Sequence, residues 1–113
     1  MPKVLVVDDE FLLRSMMKDA LEEAGYTVAL AENGQSALAR AKAESPDCIL
    51  LDIMMPGLDG YETCAALKAD PELAAIPVLL FSATTDLRVI DRAERVGAIL
   101  VVQVPDSAAL TAP

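Results

Sequence analysis

The chain reads as an α/β protein built on a five-stranded parallel sheet with helices on both faces. Three observations carry this expectation. Short apolar runs rich in β-branched residues alternate with amphipathic stretches from end to end, as strands and crossover helices do in βαβ units. The first run, Val4 to Val7, has no polar side, which suits a strand buried on both faces of a parallel sheet. The connections are short and no linker or low-complexity stretch interrupts them, so 113 residues are expected to form one domain, 1–113.

Each element has its own signal. After the first strand, Leu13, Met17, Ala20, Leu21 and Ala24 mark one helical face, and Gly25 stops the helix. Thr27 to Ala31 is the second strand, and Asn33 caps a helix with Ala37, Leu38 and Ala41 inward. Ser45-Pro46 breaks that helix, and Cys48 to Leu51 is the third strand. A loop with Pro56, Gly57 and Gly60 leads to Tyr61, Cys64 and Leu67 at helical spacing, with Asp59-Gly60 as turn and cap. Pro77 to Phe81 is the fourth strand. Asp86 then caps a helix that turns Leu87, Ile90 and Ala93 inward, and Ile99 to Val104 is the fifth strand. Only 106–113 follow Pro105, enough for a short last helix where about three turns are usual. One face of the sheet should therefore be only partly covered.

Composition excludes several functions. Lys and Arg number 9 against 18 Asp and Glu, with no His, for a net charge of -9. Nucleic acid needs a basic stripe and anionic membranes a basic patch; the acidic balance favours a bound cation instead. Without His, neither a Ser-His-Asp nor a Cys-His pair can form, and a typical catalytic zinc site is not expected. Cys48 and Cys64 read as free thiols of a reduced cytosol rather than a disulfide. No apolar run approaches the ~20 residues of a membrane span, and the acidic Asp8-Asp9-Glu10 arrives too early for a signal peptide. A cytoplasmic location is expected.

Ligands of open parallel sheets bind beyond the carboxyl ends of the strands. There the first strand presents Asp8 and Asp9, the third Asp52 and the fourth Ser82. Singly, such an Asp is commonly a helix cap or turn former, and such a Ser a loop hydroxyl. Together they differ, provided that the first, third and fourth strands are neighbours. Three adjacent carboxylates repel one another unless a cation sits among them. Hard oxygen ligands suit Mg²⁺, which retains waters and recruits phosphate oxygens.

These residues resemble the receiver domains of response regulators. Asp8-Asp9 looks like their acidic pair, and Asp52-Ile53-Met54-Met55-Pro56-Gly57-Leu58-Asp59-Gly60 is similar to their phosphoacceptor motif. Pro77-Val78-Leu79-Leu80-Phe81-Ser82-Ala83 looks like their fourth strand, and Gly97-Ala98 with Pro105 like their fifth-strand segment. The resemblance implies a doubly wound, flavodoxin-like fold with strand order 2-1-3-4-5. It implies that Asp52 accepts a phosphoryl group from a histidine kinase or phosphotransfer protein. Asp9, Asp52 and the Met54 backbone carbonyl would hold Mg²⁺, Asp8 would do so through water, and the Ser82 hydroxyl would hydrogen-bond the phosphoryl group. Such a domain is a phosphoacceptor rather than an enzyme, at most catalysing its own phosphorylation and dephosphorylation. A cis Val104–Pro105 bond is a further implication.

The chain departs from the family pattern where that pattern reports phosphorylation. Val104 stands where the family has Lys, and strand alternation turns the neighbouring Gln103 to the opposite face unless a bulge intervenes. Val101 replaces an aromatic, and the aromatic that usually follows Ser82 in the family's relay is missing. Two readings follow: a receiver phosphorylated at Asp52 with atypical output to a downstream protein, and a degenerate receiver that binds partners without phosphorylation. An unrelated Mg²⁺-phosphate binder or small hydrolase is a third. DNA binding is not expected, since no output domain is attached. The thinly covered face suggests a homodimer through Ile99, Leu100, Val101 and Leu110, since ~200 Å² of exposed apolar surface forfeits about 5 kcal/mol.

Overall fold

The computed structural model describes residues 2–55, 57–82 and 87–102. Within them the order is β1 (Lys3–Val7), α1 (Phe11–Glu23), β2 (Thr27–Ala31), α2 (Gly34–Glu44), β3 (Cys48–Asp52), α3 (Gly60–Ala69), β4 (Val78–Ser82), α4 (Leu87–Arg95) and β5 (Ile99–Val102). Every strand pair is parallel, and the sheet runs β2-β1-β3-β4-β5. This is the doubly wound order that the resemblance implies. No helix among the described residues is long and apolar enough to cross a membrane.

Residues aligned across neighbouring strands share a face of the sheet. Ile49 aligns with Leu5 and Val78, and Leu51 with Val7 and Leu80. These residues form the main core with Ala37 and Ala41 of α2 and Tyr61, Cys64 and Leu67 of α3. Small alanines on α2 let it approach the sheet closely. Ile49, Leu51, Leu67 and Leu80 are fully buried, each contributing ~1.5–3 kcal/mol relative to exposure.

The opposite face is thinner. Val4 and Val6 are buried there, but α1 has no fully buried residue. Leu13 and Met17 of α1 face Leu50, Phe81 and Val101 across an apolar cleft of about 270 Å³. Leu50 is therefore half-buried, although the run Cys48 to Leu51 carries no polar side. The polarity of a strand shows which sides tolerate burial, whereas the helices above it decide which sides receive it.

Helix ends follow local chemistry. Asn33 Oδ1 accepts a hydrogen bond from the Ser36 amide at 2.8 Å, and Ser36 Oγ accepts one from the Asn33 amide at 3.2 Å, a reciprocal cap for α2. Asp59 and Glu62 cap α3 in the same way. At the end of α1, Gly25 adopts φ 99°, and the Tyr26 amide donates to Leu21 O at 3.0 Å, the left-handed exit that glycine favours. Ser45 ends α2 at φ 47° without being glycine.

Several expectations need correction. In α4, Leu87 is 79% exposed, whereas Ala93 is buried, Ile90 is half-buried, and Val89 packs against the core, followed by Val96 just beyond the helix. Ala93 is the buried residue of α4, and Leu87, six positions earlier, is turned roughly 120° away at 3.6 residues per turn. On α1, Ala20 and Ala24 are exposed, while Leu13, Met17 and Leu21 are half-buried; only the longer side chains reach the sheet. β3 extends through Asp52, and β4 begins at Val78 and ends at Ser82. Cys48 and Cys64 are free, as expected. The expectations for Pro56, Ala83, Asp86, Gln103, Val104, Pro105 and 106–113, including Leu110 and the Val104–Pro105 bond, lie outside the described residues.

Candidate functional site

Because β1 and β3 are neighbours with Val7 aligned to Leu51, the residues that follow, Asp8 and Asp52, emerge side by side at the carboxyl edge. One carboxylate oxygen from each of Asp8, Asp9 and Asp52 lies within 4.8 Å of the others. The structure thus brings together three of the residues that strand ends alone had marked. Ser82 closes β4 one position beyond Phe81, which aligns with Asp52; its side chain is outside the description.

The adjacent acids Asp8 and Asp9 have opposite surroundings. Asp8 is fully buried and Asp9 is exposed. Asp8 Oδ1 accepts the Glu10 amide at 2.9 Å, while its buried Oδ2 has no hydrogen-bond partner. An unsatisfied buried acceptor is costly and needs an explanation in ligand or solvent. Arg14 Nη1 donates to the Asp8 backbone carbonyl at 2.7 Å, pinning the start of α1 to the site. Asp52 Oδ1 accepts the Met54 amide at 3.1 Å, and the Met54 side chain is exposed.

Burial is the main force on both inner carboxyls. It pushes Asp52 up to about 6, aided by the negative charges of Asp8 and Asp9 and opposed by hydrogen bonds from the Met54 and Ile53 amides. Burial likewise raises Asp8, with Asp9 and Glu10 adding to the shift and the Glu10 amide and Arg14 opposing it. A site that resists its own ionisation in this way suits a cation.

The donor set fits Mg²⁺. It offers three carboxylates, one of them with an orphaned buried Oδ2, and it opens to solvent at Asp9. Such a site matches a hard cation that keeps several waters.

One site residue escaped sequence reasoning in its role. Gly60 is required because a Cβ there would lie 2.5 Å from the Asp52 carbonyl oxygen and 2.6 Å from Ile53 Cα. Its amide donates to Ile53 O at 2.9 Å. The Asp-Gly pair announces a cap, but not that α3 begins in contact with the backbone of Asp52. Arg14 was missed as well; its half-buried place near the start of α1 depends on how that helix meets the carboxyl end of β1.

Comparison with known proteins shows the family and agrees with the fold. Residues 4–111 match the response regulator receiver domain, and the chain belongs to that family of two-component signalling domains. Protein PilH of Pseudomonas aeruginosa is 41% identical over 80 residues, covering 71% of this chain and 66% of PilH. The alkaline phosphatase synthesis transcriptional regulatory protein PhoP of Bacillus subtilis is 42% identical over 81 residues, 72% of this chain but 33% of PhoP. The chain spans about a third of the length of PhoP and of the probable transcriptional regulator ycf27 of Guillardia theta. Among solved structures, chemotaxis protein CheY4 of Vibrio cholerae superposes with a TM-score of 0.87 at 32% identity, covering 98% of this chain and 93% of that one.

Proposed function

We propose that Asp52 is the phosphoacceptor of a Mg²⁺-dependent receiver, charged by a histidine kinase or phosphotransfer protein in the cytoplasm. A carboxylate oxygen of Asp52 attacks phosphorus, and the bond from phosphorus to the donor nitrogen breaks. The electron pair leaves with the donor imidazole, and an acyl phosphate remains on the protein. Asp8, Asp9, Asp52 and the Met54 carbonyl would hold Mg²⁺, which supplies neutralisation of the charge on the in-line transition state when bound. The Met54 amide orients the Asp52 carboxylate, and Ser82 is assigned a hydrogen bond to the phosphoryl group.

The observation that carries the reading is the convergence of three carboxylates on one edge, with Asp8 Oδ2 buried and unpaired. The test is intact mass after incubation with acetyl phosphate and Mg²⁺. One added phosphoryl group in the parent and none in Asp52→Asn supports the proposal; an unchanged parent mass sinks it.

Output is proposed to be atypical, because Val101 stands on β5 where the family pattern has an aromatic, lining the apolar cleft rather than filling it. The same observation favours the second reading, a protein-interaction module that works without phosphorylation. Ile99 and Val101 are exposed on β5, and a homodimer through this strand is part of the proposal. Light scattering that gives a constant monomer mass up to high micromolar protein would remove that part.

A further inference from the structure

Among the described helices on the main-core side, α4 has a slender attachment. It is a nine-residue helix with one buried residue, Ala93, and it packs against β5. A second hold comes from outside the sheet. The Arg92 guanidinium carbon lies 4.1 Å from the ring centroid of Tyr61, a close cation–π approach. Tyr61 is itself buried in the core at the start of α3.

Tyr61 directly follows Gly60, the residue whose backbone is packed against the Asp52 carbonyl and hydrogen-bonded to Ile53. There is no slack between these groups, since even a methyl at Gly60 would collide with main chain. A movement of the loop after Asp52 must carry Gly60, and with it the base of the Tyr61 ring. The surface on which Arg92 rests is thus fixed to the backbone of the acidic site.

We infer that Arg92 ties α4 to the Asp52 loop through the face of Tyr61, so that occupancy of Asp52 alters how firmly α4 is held. Arg92 acts here as a positioning residue, and this role rests on the reading of Asp52 as phosphoacceptor. Arg95, in the same last turn, pairs with Asp91 at 2.9 Å and serves as the control cation.

Hydrogen exchange of the α4 amides, measured with and without acetyl phosphate and Mg²⁺ alongside intact mass, tests the inference. Arg92 is exposed, so Arg92→Leu should fold. Without phosphodonor, its α4 amides should exchange about five-fold faster than in the parent. The decisive readout is the change on phosphorylation. The parent should show a clear shift in α4 exchange, Arg92→Leu should lose most of it while gaining the same phosphoryl mass, and Arg92→Lys should restore part. Arg95→Leu should behave as the parent. Equal α4 shifts in the parent and Arg92→Leu, or no α4 shift in a phosphorylated parent, overturn the inference alone. A parent that gains no phosphoryl mass overturns the phosphoacceptor reading and this inference together.

Discussion

The amide of Met54 donates to Asp52 Oδ1 at 3.1 Å, so the carboxylate at the end of β3 is held by the loop that leaves it. Asp52 is thereby positioned before any ligand arrives, and it stands close enough to Asp8 and Asp9 for all three to act on one cation. The predictions that follow from this arrangement concern metal, pH, the α3 start and its cap.

Mg²⁺ should bind, and Asp9 should matter most among the residues that do not accept the phosphoryl group. Isothermal titration calorimetry of the parent against Asp9→Ala should show affinity falling about tenfold or more. A variant that binds as tightly as the parent would count against the assignment of Asp9.

Metal-free protein should lose stability as pH rises from about 4 to about 6. The Asp52 carboxyl has its folded value raised to about 6, above the ~3.9 of an unfolded Asp. Between the two, the native state binds more protons than the unfolded state, so the stability that the neutral carboxyl contributes is lost as it ionises. Asp52 remains partly in solvent, and screening reduces the effect to about 1–2 kcal/mol. In EDTA, Asp52→Asn should match the parent near pH 4 and exceed its melting temperature by roughly 5 °C near pH 7.5. Equal melting curves at pH 7.5 would show that the carboxylate is not strained.

Gly60→Ala should be the costliest glycine substitution of the pair Gly25 and Gly60. At Gly60 the added carbon meets backbone at 2.5 Å and 2.6 Å, whereas at Gly25 nothing lies within 4 Å and the strain is that of φ 99° alone. Urea unfolding should give a loss of about 2–3 kcal/mol for Gly60→Ala and about 1 kcal/mol for Gly25→Ala. The reverse order would mean that the contact with Asp52 is not tight.

Asp59 should prove structural. Its Oδ1 accepts the Glu62 amide at 2.9 Å, so Asp59→Ala should cost about 1 kcal/mol in urea unfolding while Asp52 still accepts its phosphoryl group. Loss of phosphorylation with the fold intact would assign Asp59 to the chemistry instead.

Much of this was legible in the chain because the signals are local. Val4 to Val7 reads as a buried strand, Asn33 and Asp59 as caps, and Asp8, Asp9 and Asp52 as strand-end carboxylates. What was not legible depends on how elements meet. Asp8 and Asp9 are chemically identical, and strand β1 alone decides which one turns inward. Leu87 belongs to an apolar pattern, yet α4 buries Ala93 and leaves Leu87 in solvent. Gly60 shows a cap in sequence, but its contact with Asp52 exists only once β3 and α3 are placed. The contact of Arg92 with Tyr61, thirty-one positions apart, has no sequence signal at all.

The most direct test of the account is to locate the phosphoryl group. After treatment with acetyl phosphate and Mg²⁺, borohydride reduction converts an aspartyl phosphate to homoserine, which peptide mass spectrometry can place. The account predicts homoserine at position 52 in the parent, dependent on Mg²⁺ and sharply reduced in Asp9→Ala. Homoserine at another carboxylate, or none anywhere in a folded and metal-loaded protein, would contradict it.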